Sequence, residues 1–380
     1  MSEYQYYEFA AIDRPLGEKE MAELRAVSTR AEITTASFVN HYEWGDLKAD
    51  PRDWMRRYFD AFVYSANWCS CALALRVQKT VFRKSDLAPY ASKNSLTIES
   101  SKKHWIFHWS LDESEDYDRF AIGDGSGWMS RLTPLREELL RGDLRSLYLG
   151  WLADAHTMAE NKQEPEVPPG LATLSPAQQA LVQFLEVDPD LLTAASAGST
   201  DLSPTDVADI DNWLKSWSRS DMKAVLRHIV LGKGRDAERQ VQSRYGDWRR
   251  AQRPPSQSNT PRRTVADLHE LAESAAAERR KREARTRNRR ESERRRQREN
   301  YLRQVVGKAK TYWNSADAQA RRGVASGYDQ AVATLADLAE GYSLTDNRAE
   351  FERELQRFLA PHTGRRALLR RLTKACFWSE

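Results

Sequence analysis

Apolar positions in the first 110 residues switch between a period of two and a period of 3.6, the spacings that strands and helices impose. Residues 4–12 (YQYYEFAAI) are aromatic and β-branched at their ends, precede the turn Asp13-Arg14-Pro15, and predict a strand. Met21, Leu24 and Val27 fall on one stripe of a helix over 17–29. Glu32 to Trp44 reads as one long strand closed by Gly45-Asp46. Pro51 suits the first turn of a helix reaching Ala66, with Trp54, Tyr58 and Phe62 on one face. Cys69, Cys71, Leu73, Leu75 and Val77 alternate as a half-buried strand. Ser85 is placed to cap a short helix over 86–91, and two strands follow near 95–100 and 104–110. The pattern predicts a mixed α/β sheet domain over 1–111, of about five strands and three helices, with the helices packed on one face.

From Asp112 the pattern becomes helical. An acidic loop (Asp112, Glu113, Glu115, Asp116, Asp118) and the run Gly123 to Gly127 lead into a helix beginning near Trp128, with Leu132, Leu135, Leu139 and Leu140 in line. A strongly apolar helix over 144–158 follows, then a linker by composition over 164–170 (EPEVPPG). Short helices are expected over 175–186, 189–197, 204–216, 219–231 and 235–250, and Pro176, Pro189 and Pro204 sit where a first turn can use them. These make a helical domain over 112–251. Residues 252–263, containing RPPSQSNT, read as a flexible linker. A long basic helix is expected over 264–313, capped by Thr264, with apolar spacing only at Leu302, Val305, Val306, Ala309 and Trp313. The C-terminal module, 314–380, holds two antiparallel helices over 328–338 and 349–359 and a last one over 365–376. Tyr328, Val332 and Leu335 face Phe351, Leu355 and Phe358 like one helical-repeat hairpin, without a second copy. The fold class is α+β: the sheet domain, a helical bundle, the long basic helix and a small helical hairpin module.

Charge changes this picture more than composition does. The formal net charge of +4 over 380 residues conceals −7 in residues 1–250 and +11 in 251–380. Much of the excess lies in 278–300, ERRKREARTRNRRESERRRQREN, which holds twelve cations and five Glu. The cations are Arg279, Arg280, Lys281, Arg282, Arg285, Arg287, Arg289, Arg290, Arg294, Arg295, Arg296 and Arg298. Its one apolar side chain is Ala284, so it has no face to bury and stays in solvent or lies on an anionic partner. Three cysteines make no disulfide framework, the N-terminus lacks a signal-peptide pattern, and no apolar run is long enough for a membrane span. A reduced, cytoplasmic setting is expected.

Catalytic and metal signatures are weak. GxxxxGK[ST] and HExxH are absent, and the glycine run is GxGxG beside carboxylates that repel phosphate. His104 and His108 lie on an alternating segment, where four residues span about 13 Å, too far for one zinc. Cys69 and Cys71 read as small buried hydrophobes, and no metal or cofactor is expected. Trp105 and Trp109, beside Lys102 and Lys103, offer a possible base-stacking platform against the plainer reading as sheet residues. The most polar cluster is His41, Glu43 and Asp46 at a strand end, either an acid/base site or a polar strand edge.

Three readings of the tract remain open. It is a solvated spacer held by pairs such as Glu278/Arg282, Glu291/Arg295 and Arg287/Glu291, a phosphate-binding helix, or a docking helix for an acidic protein. The preference for Arg over Lys, eleven to one, suits bidentate contact with phosphate or carboxylate.

Several blocks resemble a family of bacterial proteins without an assigned activity: YYEFAAIDRPL (6–16), Asn40 to Asp46 running on to KADP, GSGW (125–128) and LRGDLRSLYLGWL (140–152). The stretches 328–338 and 351–372 are similar to a helical tail on some bacterial SWIM-type zinc-finger proteins, whose zinc ligands are missing here. The resemblance brings no catalytic residues. The reading favoured is a non-enzymatic adaptor of a bacterial nucleic-acid-associated or defence-type assembly. Its arginine helix meets nucleic acid or an acidic partner, and its C-terminal module meets other proteins. The alternatives are a protein–protein scaffold with the helix as spacer, and an enzyme centred on His41, Glu43 and Asp46.

Overall fold

Strands β1 (Gln5–Ala10), β2 (Glu32–Ile33), β3 (Ser37–Tyr42), β4 (Ala61–Ala66), β5 (Cys71–Gln78), β6 (Leu96–Ser100) and β7 (His104–Leu111) form one sheet in the order β2-β3-β1-β4-β5-β7-β6. Every pairing is antiparallel. The computed structural model describes residues 4–112, 125–201, 207–252, 262–375 and 377. Two compact units divide the chain, Met1–Ala277 and Glu278–Glu380.

Both faces of the sheet are covered, not one. Tyr7, Phe9, Phe38, Phe62, Ala74 and Ile106 pack against Leu24 of α1 (Glu18–Val27) and Trp54 and Met55 of α2 (Pro51–Arg57). The alternate residues Val63, Leu73, Leu75, Val77, Phe107 and Trp109 face a second helical layer. After the short α3 (Lys84–Leu87), that layer comprises α4 (Trp128–Leu132), α5 (Pro134–Leu140), α6 (Arg145–Ala153), α7 (Pro176–Phe184) and α8 (Pro189–Ala197). Strand β5 explains the difference, since CALALRVQ places small or apolar groups on both of its faces and can sit between two layers. Sheet and helices thus share one core across the boundary expected at 111/112.

Two expected elements are shorter than the spacing suggested. Helix α2 stops at Arg57, and Phe62 and Ser65 belong to β4, because Ala61 to Ala66 satisfies its backbone between β1 and β5. The strand expected over 32–44 is broken by a turn in which Thr34 Oγ1 accepts from the amides of Ala36 and Ser37.

A buried ion cluster ties the strand ends to both layers. Asp60 receives Arg76 Nη2 at 2.8 Å and the amides of Ile12 and Asp13 at 2.7 and 2.9 Å. Arg136 of α5, 2% exposed, donates to the Arg76 carbonyl at 2.7 Å and to Asp13 at 2.6 Å. Burial alone would raise the Asp60 pKa, but Arg76, the Asp13 amide and Arg136 together hold it below the ordinary value.

Helices α9 (Val207–Lys215), α10 (Arg219–Val230) and α11 (Gly234–Gln252) follow, gathered around Trp213, Trp217, Tyr245 and Trp248. The expected acidic loop at 113–118, Gly123 and most of the expected linker (253–261) lie outside the described residues. Helix α12 spans Val265–Gly307 and is followed by α13 (Ala309–Arg321), α14 (Ala325–Leu344), α15 (Arg348–Leu359) and α16 (Arg366–Lys374). The helix expected over 264–313 is therefore interrupted at Lys308, whose φ of −118° and ψ of 28° leave the helical region.

In the second unit Val305, Trp313, Ala316, Tyr328, Leu335, Leu338, Phe351, Leu355, Phe358 and Leu368 build one core. Gly341 lets α14 approach α12. A Cβ there would lie 2.7 Å from Val306 Cγ2 and 3.1 Å from the Leu302 carbonyl oxygen. His362 is buried and its Nε2 meets Asp317 Oδ1 at 2.8 Å.

Candidate nucleic-acid interface

The basic helix does not begin free of the first unit. Thr264 is the expected cap: its Oγ1 accepts from the Asp267 amide at 3.2 Å, and Asp267 Oδ2 accepts from the Thr264 amide at 2.7 Å. Val265, Leu268 and Ala272 are buried in the core beneath the sheet. Arg263 meets Glu164 through Nε at 2.7 Å and Nη2 at 2.9 Å, and Tyr148 OH donates to the same carboxylate. Glu164 came from a stretch whose composition suggested a linker, yet it is only 3% exposed. A lone Glu between Gln163 and Pro165 gives no sequence signal for such a role, because its partner lies 99 residues away.

From Glu278 to Asn300 the helix surface is almost wholly solvent-exposed, and every arginine from Arg279 to Arg298 is exposed. Ion pairs form at Arg279–Glu283 (3.1 Å), Arg289–Glu293 (2.9 Å), Arg295–Glu299 (3.0 Å) and Lys281–Glu278 (3.6 Å). The three pairs expected from spacing, Glu278/Arg282, Glu291/Arg295 and Arg287/Glu291, do not form. Each Glu has several cations within reach on such a surface, and exposed pairs differ little in energy, typically by less than about 1 kcal/mol.

Seven arginine side chains keep no hydrogen-bond or ion-pair partner among the described residues: Arg280, Arg282, Arg285, Arg287, Arg290, Arg294 and Arg296. At 3.6 residues per turn, Arg280, Arg287 and Arg294 recur every seven residues along one side, with Arg290 beside them. Arg282, Arg285 and Arg296 fall on the opposite side. The helix thus carries two opposed rows of free guanidinium groups.

Arg298 is different from the rest of the tract. Its Nη2 contacts Asp337 Oδ1 at 2.6 Å and Glu340 Oε2 at 2.5 Å on α14, and Tyr301 OH donates to Asp337 at 2.8 Å. The hydrogen bond that Arg298 donates to Glu340, then that to Asp337, raises the Arg298 pKa. This arginine packs the second unit together and is already neutralised.

His41, Glu43 and Asp46 share the end of β3 and its following turn without touching one another. His41 Nδ1 meets Tyr4 OH at 2.5 Å and its ring lies 4.9 Å from that of Tyr6. Asp46 Oδ1 accepts from Gln5 Nε2 at 2.6 Å, and Glu43 and Trp44 are exposed. His41 and Asp46 are thus engaged separately, by Tyr4 and by Gln5.

Trp105 and Trp109 are buried, with Nε1 donating to the carbonyls of Phe82 and Ser146, so their rings are closed to bases. His104 and His108 lie on β7 as expected; burial, then Arg52, lowers the His108 pKa to about 4 despite Glu99 nearby. Cys69 and Cys71 are buried, but only Cys71 is on a strand; Cys69 precedes it with a φ of 70°. Among the described residues no three His, Cys, Asp or Glu side chains are grouped to hold a metal ion. No helix among them is long and apolar enough to cross a membrane.

No family model matches the chain, and neither a curated protein nor a solved structure is found to be similar to it.

Proposed function

We propose that the chain is a non-enzymatic, cytoplasmic adaptor that binds nucleic acid through the arginine-rich part of α12. The supporting observation is the set of seven exposed arginines without an internal partner. Repulsion along such a helix is relieved when phosphates replace the counterions it gathers, and their release drives binding. Arginine presents a planar fork that meets two phosphate oxygens at once. Two opposed rows suit a groove walled by phosphates on both sides. The major groove of B-form DNA, about 12 Å wide, admits an α-helix, whereas that of A-form RNA is too narrow. Duplex DNA is therefore the nucleic acid favoured.

Retention of labelled duplex DNA at low salt by the intact protein tests this reading. Replacing Arg280, Arg282, Arg285, Arg287, Arg290, Arg294 and Arg296 by Gln removes retention while the fold, followed by circular dichroism, is kept. Equal retention by this variant overturns the proposal.

A further inference from the structure

Helix α10 buries none of its residues, although five of its twelve side chains are large and apolar. Asp221, Val225 and His228 are half-buried on one side, and Asp221 meets Arg244 of α11 at 3.3 Å. The apolar row lies on a different side. Met222, Leu226, Ile229 and Val230 follow the i, i+4, i+7, i+8 spacing of a single stripe. Leu226 is 60% exposed and Val230 85%, and Leu231 extends the exposed apolar surface past the helix end. Scattered apolar side chains on a surface need no explanation, but a contiguous stripe at helical spacing marks a contact surface.

The border of the stripe indicates what fits it. Arg219, Lys223 and Arg227 recur every four residues along one flank, all exposed and none with an ion-pair partner among the described residues. The opposite flank is taken up by the packing against α11. A second copy of the chain is a poor occupant, because an antiparallel two-fold pairing sets equivalent flanks together, and cation would meet cation. We propose that this face of α10 docks an amphipathic helix of another protein, with an apolar ridge bordered by a row of Glu or Asp. The ridge covers Met222, Leu226, Ile229 and Val230, and the carboxylates pair with Arg219, Lys223 and Arg227. Apolar contact supplies affinity, and charge selects the partner and its direction. The proposal stands apart from nucleic-acid binding, since it uses other residues and a different chemistry.

Two synthetic three-heptad helices test it, both with Leu along the ridge, one flanked by Glu and the other by Lys, titrated against the full-length protein. The Glu-flanked helix binds. Leu226→Asp with Ile229→Asp weakens it by at least about tenfold. Lys223→Glu with Arg227→Glu reverses the preference to the Lys-flanked helix. Arg280→Gln, Arg287→Gln and Arg294→Gln together leave the affinity unchanged, which separates docking on α10 from attraction to α12. Because all the α10 positions are exposed, the reversal of preference also guards against a variant that merely unfolds. Four results overturn the proposal: no binding of either helix, binding indifferent to the α10 changes, binding lost with the α12 changes, or self-association abolished by Leu226→Asp.

Discussion

Arg263 and Glu164 make a two-point ion pair, Nε to Oε2 at 2.7 Å and Nη2 to Oε1 at 2.9 Å, one residue before the cap of α12. The pair fixes where the basic helix starts, together with the antiparallel bridge between Gln163 and Thr264. Removing one partner leaves a buried charge uncompensated, which costs about 3–5 kcal/mol. Arg263→Ala is accordingly expected to lower the stability of the first unit by several kcal/mol in a urea titration. A change below about 0.5 kcal/mol, typical of surface substitutions, would show that the pair does not anchor the helix.

Asp60 couples stability to pH. Its carboxyl is held below the ordinary value in the folded chain, so its contribution is present above the unfolded pKa of about 4 and is lost as pH falls through the folded pKa. Asp60→Asn is expected to cost about 3 kcal/mol at pH 7, and the gap to the unaltered protein narrows below about pH 4. Denaturant midpoints between pH 7 and pH 3 measure this. A gap independent of pH would contradict the network.

His108 works over a higher window. Burial, followed by the nearby Arg52, lowers its pKa to about 4, so the fold holds the neutral ring. Stability is fully present above the unfolded pKa of about 6.5 and declines as pH falls toward the folded value. The loss attributable to this ring approaches about 3 kcal/mol once pH is below both values. His108→Gln should flatten the stability profile between about pH 6.5 and 4.5, as read by thermal denaturation at several pH values. An unchanged slope would mean the ring is hydrated or paired.

Local pattern exposed much of the fold. Pro176, Pro189 and Thr264 marked helix starts because a first turn has fixed chemical needs that nearby residues meet. Trp54, Tyr58 and Phe62 satisfy the helical period, while the strand pairing that captures Phe62 comes from Phe9 and Ala74. The two-sided sheet was hidden for the same reason, since which layer covers Leu73 is decided by α5 to α7, far along the chain. At the candidate interface, composition located the tract but could not single out Arg298. Its partners, Asp337 and Glu340, become neighbours only when α14 packs back on α12. Nor could charge counting show that Arg280, Arg287 and Arg294 stay unpaired while Arg279, Arg289 and Arg295 do not.

The salt dependence of duplex binding tests the central claim most directly. Each phosphate neutralised contributes about −0.9 to the slope of log Kobs against log salt. If the seven unpaired arginines each meet a phosphate, the slope approaches about −6, and exchanging Arg280, Arg287 and Arg294 for Gln makes it shallower by about 3. Binding that persists with a slope near zero, or a slope untouched by those three exchanges, would contradict phosphate recognition by α12.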